Sequence, residues 1–212
     1  EMARVIKPNR RNNYMIGLFI GLLIPMGLIF LFDMLDNAIK DPSEIGKKTG
    51  IPLLGTIGNN PYESFLPVMD KSKSSFTESF RALRTNLDML LGGKDKKVVL
   101  VSSTISGEGK SFIASNLAVS LALLGKKTAL LGLDLRKPKI HNLFGLDNSI
   151  GISTYLVGRD EVSAITLSTK MTNLFALPAG PIPPNPAELL ASLKLDELIS
   201  NLREEYDYIV ID

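Results

Sequence analysis

The sequence predicts an α/β fold: a parallel sheet with flanking helices, preceded by one transmembrane helix. Three observations predict it. The apolar run Val98-Val99-Leu100-Val101 leads through a Gly-rich turn into an apolar-periodic helix, Phe112 to Leu124. From Lys97 to Asp212, short apolar runs alternate with helical patterns, the signature of βαβ units. The segment Tyr14 to Phe32 carries no charged residue over 19 positions.

Composition narrows the function classes. With 24 Lys and Arg against 22 Asp and Glu in 212 residues, the net charge is +2, so no global field draws the chain toward nucleic acid. The absence of cysteine excludes a disulfide framework and thiol chemistry, and a single histidine, His141, excludes a His-rich metal site.

Taken in order, Tyr14–Phe32 as a helix is about 28 Å long, close to the hydrocarbon thickness of a bilayer. Arg10, Arg11 and Asp33 bound it, and its Gly17, Gly21, Gly27 and Pro25 suit a membrane helix better than a soluble one. Arg4, Lys7, Arg10 and Arg11 precede it, and Lys40, Lys47 and Lys48 follow, so flanking charge does not set orientation. Residues 1–13 are read as the end of an extracytoplasmic region, 14–32 as the span, 33–75 as a cytoplasmic connector and 76–212 as the α/β domain. Within the connector, Asp36–Lys40 is expected to prolong the membrane helix. Asp41-Pro42-Ser43-Glu44 opens a second helix, Gly50–Gly58 holds a short strand, and Asn59–Ser75 is loop. From Ser75 to Leu91 apolar residues recur at helical spacing, while Glu78, Arg81 and Arg84 share the opposite face and Gly92-Gly93 ends the helix. Strands follow at Lys97–Ser102, Lys127–Leu133, Thr172–Leu177 and Tyr208–Asp212. Helices are read at Ser111–Leu124, from Pro186, and at Leu193–Glu204.

The turn Ser102–Ser111 carries the chemistry. A strand, a glycine-rich turn and Lys-Ser at a helix start form the setting of a phosphate-binding loop. Ser106, Gly107, Glu108, Gly109, Lys110, Ser111 and Phe112 are the candidate nucleotide-binding residues. Glycines let backbone N–H groups approach phosphate oxygens, Lys110 supplies a charge to the β/γ-phosphates, and the Ser111 hydroxyl suits Mg²⁺. Thr104 stands where the G-x-x-x-x-G-K-[ST] pattern has its first glycine. Asp134, at the end of the second strand, is placed to bind Mg²⁺ or accept a proton from an attacking hydroxyl, or else to cap the turn that follows. The strand Tyr208–Ile211 ends in Asp212, the Walker B form, making Asp212 a third catalytic and metal-binding candidate. Because a sheet is not expected to stop at such a residue, the domain is expected to be incomplete at its C-terminus.

The chain resembles the bacterial tyrosine kinases fused to polysaccharide co-polymerases, the Wzc-like proteins of capsule and exopolysaccharide export. Asn9-Arg10-Arg11, Leu35–Lys40, Glu78-Ser79-Phe80-Arg81-Ala82-Leu83-Arg84, Gly107–Ser111, Asp134-Leu135-Arg136-Lys137-Pro138 and Gly180–Pro186 carry the resemblance, in order and spacing. It implies a MinD/ParA-like P-loop NTPase fold, with ATP and Mg²⁺ as cofactors and tyrosine as acceptor. The family's own C-terminal tyrosine cluster, phosphorylated in trans, is not seen in this sequence. The resemblance further implies a ring-like homo-oligomer joined through Glu78, Arg81 and Arg84. The implied partners are the polysaccharide export and polymerisation machinery and a cognate tyrosine phosphatase. The implied location is the bacterial inner membrane, with the kinase domain in the cytoplasm. The family's D-x-D-x-R motif is altered: Gly132 replaces its first Asp, which would weaken the chemistry or pass it to Asp134. Ile105 replaces the signature lysine of the segregation ATPases. Two alternatives stand beside the kinase: a scaffold whose nucleotide site controls assembly, and a MinD/ParA-like ATPase.

Overall fold

A computed structural model describes residues 10–36, 41–92 and 97–212. The expectations for residues 1–9, Asn37–Lys40 and Gly93 lie outside them. The chain divides into two units, residues 1–53 and 54–212.

In the first unit, α1 (Arg10–Leu35) is long and apolar enough to cross a membrane, and none of its residues is buried. Helix geometry stops at Leu35, so Asp36 does not continue it as the sequence reading expected. A short α2 (Ser43–Thr49) starts behind Pro42, whose fixed φ suits a helix start, and ends at Gly50 in the left-handed region.

The second unit is built on a five-stranded sheet. Its strands are β1 (Lys97–Leu100), β2 (Thr128–Leu131), β3 (Leu167–Ser168), β4 (Leu174–Leu177) and β5 (Tyr208–Ile211), in the order β1-β5-β2-β4-β3. Three pairings are parallel, and β3 joins β4 antiparallel. The sheet is therefore parallel, as expected, except at one edge, where β3 makes it mixed. Alternation along the strands divides the core. Tyr208 and Val210 of β5 and Leu130 of β2 face α4 (Ser75–Leu91) and α5 (Lys110–Leu123), while Ile209, Ile211, Ala129 and Leu131 face α7 (Ile152–Leu156) and α10 (Leu193–Glu205). From Ala114 to Ala122 every residue of α5 is buried, so the loop preceding it rests on a helix held on all sides. α6 (Ile140–Phe144), α8 (Val162–Ile165) and α9 (Pro186–Leu190) complete the unit with α3 (Pro67–Asp70).

Two local expectations fail. Gly50–Gly58 forms no strand, since its residues pair with no partner strand; instead Asn86 Nδ2 donates to the Leu54 carbonyl at 2.7 Å, tying that run to α4. The stretch 59–75 contains α3, whose Val68 is fully buried beside α5. Burial of Leu66 and Val68 against two long helices overrides the polar composition around them.

Candidate active site

The ends of β1, β2 and β5 converge on the loop before α5. Gly107 and Gly109 have φ of +100° and +93°, a region closed to most side chains, so these two glycines are required by the turn itself. Thr104, in place of the first glycine, is not among the positive-φ residues, so no glycine is needed there. Its backbone N–H and that of Ile105 donate to Glu108 Oε2 at 3.1 and 3.2 Å. Glu108 thus braces the loop from inside.

Lys110 begins α5, and its Nζ donates to Asp212 Oδ1 at 3.1 Å while lying 3.8 Å from Asp134 Oδ2. The Asp212 side chain is 1% exposed, held at the end of β5 by Asp212 N donating to the Leu131 carbonyl. Asp134 Oδ1 also accepts from the backbone of Arg136 and Lys137 at 3.2 and 3.0 Å, so this carboxylate both shapes its turn and faces Lys110. Ser106, Gly107, Gly109, Lys110, Ser111 and Phe112 line a cavity of about 190 Å³ together with Asp134. Phe112 packs its ring against Phe76 and Phe80, both at 6.2 Å between centroids, so much of it serves the core. Arg136 points to solvent.

Gly132 is governed by space. A Cβ there would stand 3.3 Å from Ile140 Cγ1 and 3.4 Å from the Ala179 backbone nitrogen. Ile140, 2% exposed, fills the room an acidic side chain would need. Among the described residues no group of three His, Cys, Asp or Glu side chains is gathered. A divalent cation would be held by the Ser111 hydroxyl, Asp134, Asp212 and the phosphates it accompanies, a donor set that suits Mg²⁺.

Glu78, Arg81 and Arg84 lie on α4, away from this centre. Arg81 Nη1 pairs with Glu78 Oε2 at 2.6 Å, and Arg84 Nη1 donates to the Ser120 carbonyl of α5 at 2.9 Å. All three have partners inside one chain.

Several residues near the site escaped the sequence reading. Asn116 is fully buried on α5. It donates to the carbonyls of Phe65 and Phe112, both at 2.9 Å, and accepts from Val68 N–H at 3.2 Å, fastening residues 65–68 to the helix behind the loop. A lone amide in a run of apolar positions was the available signal. Lys139, Leu143 and Phe65 complete the cavity lining. Asn148 exchanges two hydrogen bonds with Gly180, each 2.9 Å, and anchors the start of the Pro-rich loop.

Comparison with known proteins agrees with this fold. A family model described as "ParA: NUBPL iron-transfer P-loop NTPase" matches residues 94–172. The chain is 40% identical over 147 residues to the putative tyrosine-protein kinase CapB of Staphylococcus aureus, covering 69% of this chain and 64% of that protein. The chain therefore spans less than two thirds of that relative. Two solved structures superpose on it. One is the chimerical protein CapA2B2, with TM-score 0.74 and 35% identity over 81% of this chain and 74% of that one. The other is the kinase domain of Escherichia coli tyrosine kinase ETK, with TM-score 0.75 and 28% identity over 82% and 72%.

Proposed function

The chain belongs to the bacterial tyrosine-protein kinases, and on that premise we propose that it transfers the γ-phosphoryl of ATP to tyrosine hydroxyls in the control of polysaccharide export. The observation that carries the proposal is the meeting of Lys110 with Asp212 and Asp134 beside the loop amides. Lys110 exchanges its carboxylate partners for the phosphates of an incoming nucleotide. Backbone N–H groups of the loop and the start of α5 orient those phosphates, and positioning with charge neutralisation supplies most of the catalysis. Asp134 and Asp212, once freed from Lys110, would hold Mg²⁺ with Ser111, and one of the two carboxylates would accept the tyrosine proton. Magnesium, when bound, neutralises charge that builds on the transferring group.

The membrane setting rests on α1, with residues 76–212 as the catalytic domain in the cytoplasm, where ATP is found. Ring assembly through α4 is part of the same proposal, with a C-terminal tyrosine cluster of the kind the family carries, not present in this sequence, as the acceptor in trans. The polysaccharide export and polymerisation machinery and a cognate tyrosine phosphatase are the remaining partners. Arg81 and Arg84 are both half-buried and bonded within the chain, to Ser72 and to Ser120, so Glu78 is the exposed member of the trio and the one best placed to meet a neighbour.

The test is phosphotyrosine formation by the full-length protein with MgATP, beside a Lys110→Met variant. Signal in the parent and none in the variant supports the kinase. Nucleotide binding without phosphotyrosine in either protein favours the scaffold reading, which the absent carboxylate at Gly132 motivates.

A further inference from the structure

We propose that Lys139 is a second phosphate-binding cation of this site, reaching the terminal phosphate of a bound nucleoside triphosphate. The proposal rests on the nucleotide reading above and assigns a new residue to it.

Besides Phe65, the cavity of about 190 Å³ has two walls of different origin. One is the loop from Ser103 to Phe112. The other comes from the segment that follows β2 and contributes Asp134, Lys139 and Leu143. Lys110 is the cation of the first wall, and it already faces two carboxylates, at 3.1 and 3.8 Å. Lys139 is the cation of the second wall. Among the described residues its ammonium group makes no hydrogen bond or ion pair, so its charge is uncommitted.

The backbone at Lys139 is fixed even though its side chain is exposed. Its neighbour Ile140 is 2% exposed and packs over Gly132, and the Lys139 carbonyl accepts from Leu143 N–H at 3.1 Å. An ammonium on a flexible stem, rooted at a fixed point on the rim, can follow a phosphate without a rigid pocket of its own. Direction decides which phosphate. The loop amides cradle the inner phosphates and Lys110 reaches the β/γ-phosphates from the loop side, so the terminal phosphate lies toward Asp134 and the facing wall that holds Lys139. A triphosphate also brings more negative charge than Lys110 and one divalent cation neutralise, and the terminal group carries most of the excess.

The same packing links this assignment to Gly132. The residue that blocks an acidic side chain at position 132 is Ile140, which holds Lys139 at the rim. A site with Gly132 in place of a carboxylate and Lys139 on its rim leans on fixed protein charge, and less on the metal, for binding phosphate.

The experiment is a fluorescence titration of the full-length protein in detergent with N-methylanthraniloyl-ATP and N-methylanthraniloyl-ADP, each with magnesium and with EDTA. The variants are Lys139→Ala, Lys139→Arg and, as a control of the site, Lys110→Ala. Loss of a charge-assisted contact to the terminal phosphate is expected to weaken the triphosphate about tenfold and the diphosphate about threefold or less. Lys139→Arg should keep the parental preference for the triphosphate, and the difference between nucleotides should persist in EDTA. Unchanged affinity for both nucleotides in Lys139→Ala, or equal losses for both, overturns the proposal. Failure of the parent to bind either nucleotide overturns the nucleotide reading and this proposal with it.

Discussion

Lys110 Nζ lies 3.1 Å from Asp212 Oδ1, and that carboxylate is almost wholly shielded from water. The first residue of α5 and the residue just after β5 are 102 positions apart in sequence and form one ion pair at the centre of the site. Where no nucleotide is bound, the lysine of the loop neutralises the strand-end carboxylate.

This pairing makes a stability prediction. Lys110→Met leaves Asp212 buried without its cation and should cost about 2 kcal/mol, at the low end because water reaches part of the lysine. The double variant Lys110→Met/Asp212→Asn should regain most of that loss. Urea midpoints for the four proteins of the cycle give the coupling directly, and purely additive losses would count against a buried pair.

A second network joins α4 to the sheet. Lys97 Nζ donates to Asp88 Oδ1 and to the Tyr208 hydroxyl, each at 2.7 Å, and the Tyr208 hydroxyl also donates to Asp88. Burial works to raise the Asp88 carboxyl, but hydrogen bonds from Lys97 and Tyr208 and the Lys97 charge outweigh it and hold it below its ordinary 3.8. Burial likewise works against the Lys97 ammonium, yet the same partners hold it above its ordinary 10.5. Burial and Asp88 raise the Tyr208 phenol above its ordinary 10.0. The depressed carboxyl contributes stability that is present above 3.8 and lost as pH falls through its folded value. The raised amine and phenol contribute stability that is present below their ordinary values and lost as pH rises through the folded ones. Stability should therefore hold across neutral pH and fall at both ends. Asp88→Asn should flatten the acid limb in a series of thermal melts, and an unchanged acid limb would refute the assignment.

Asn116 should matter more than its place in an apolar helix suggests. Asn116→Ala strands the Phe65 carbonyl and the Val68 N–H, at a cost of about 1–3 kcal/mol. Limited proteolysis should find new cleavage between residues 54 and 75, where the parent resists.

Gly132→Asp should destabilise rather than restore. Overpacking against Ile140 is expected to cost about 1–3 kcal/mol. Ile140→Ala in the same chain should recover much of it, which melting of the single and double variants would measure.

Much of this architecture was legible because it rests on local rules. A glycine-rich turn after a strand, a lysine and serine at a helix start, and an apolar strand ending in Asp212 are visible without coordinates. So is α4, whose bounds follow from its periodicity and Gly92. The two-residue strand β3 is too short to show alternation, and its antiparallel pairing with β4 is a tertiary outcome. The packing of Ile140 on Gly132, the tie from Asn116 to residues 65–68 and the presence of Lys139 on the cavity wall all join segments distant in sequence or side. No spacing rule encodes them. Arg84 shows the converse: its spacing with Glu78 and Arg81 suggested one shared face, and its hydrogen bond to Ser120 gives it a separate task.

The most direct test of the central claim is transfer of labelled γ-phosphate from ATP to tyrosine by full-length Asp212→Asn, with nucleotide affinity measured on the same sample. The account predicts that nucleotide still binds and that transfer at saturating nucleotide is slowed by about 100-fold or more, the scale expected when a positioned catalytic carboxylate is lost. Transfer at the parental rate would contradict it, and would remove Asp212 from the chemistry.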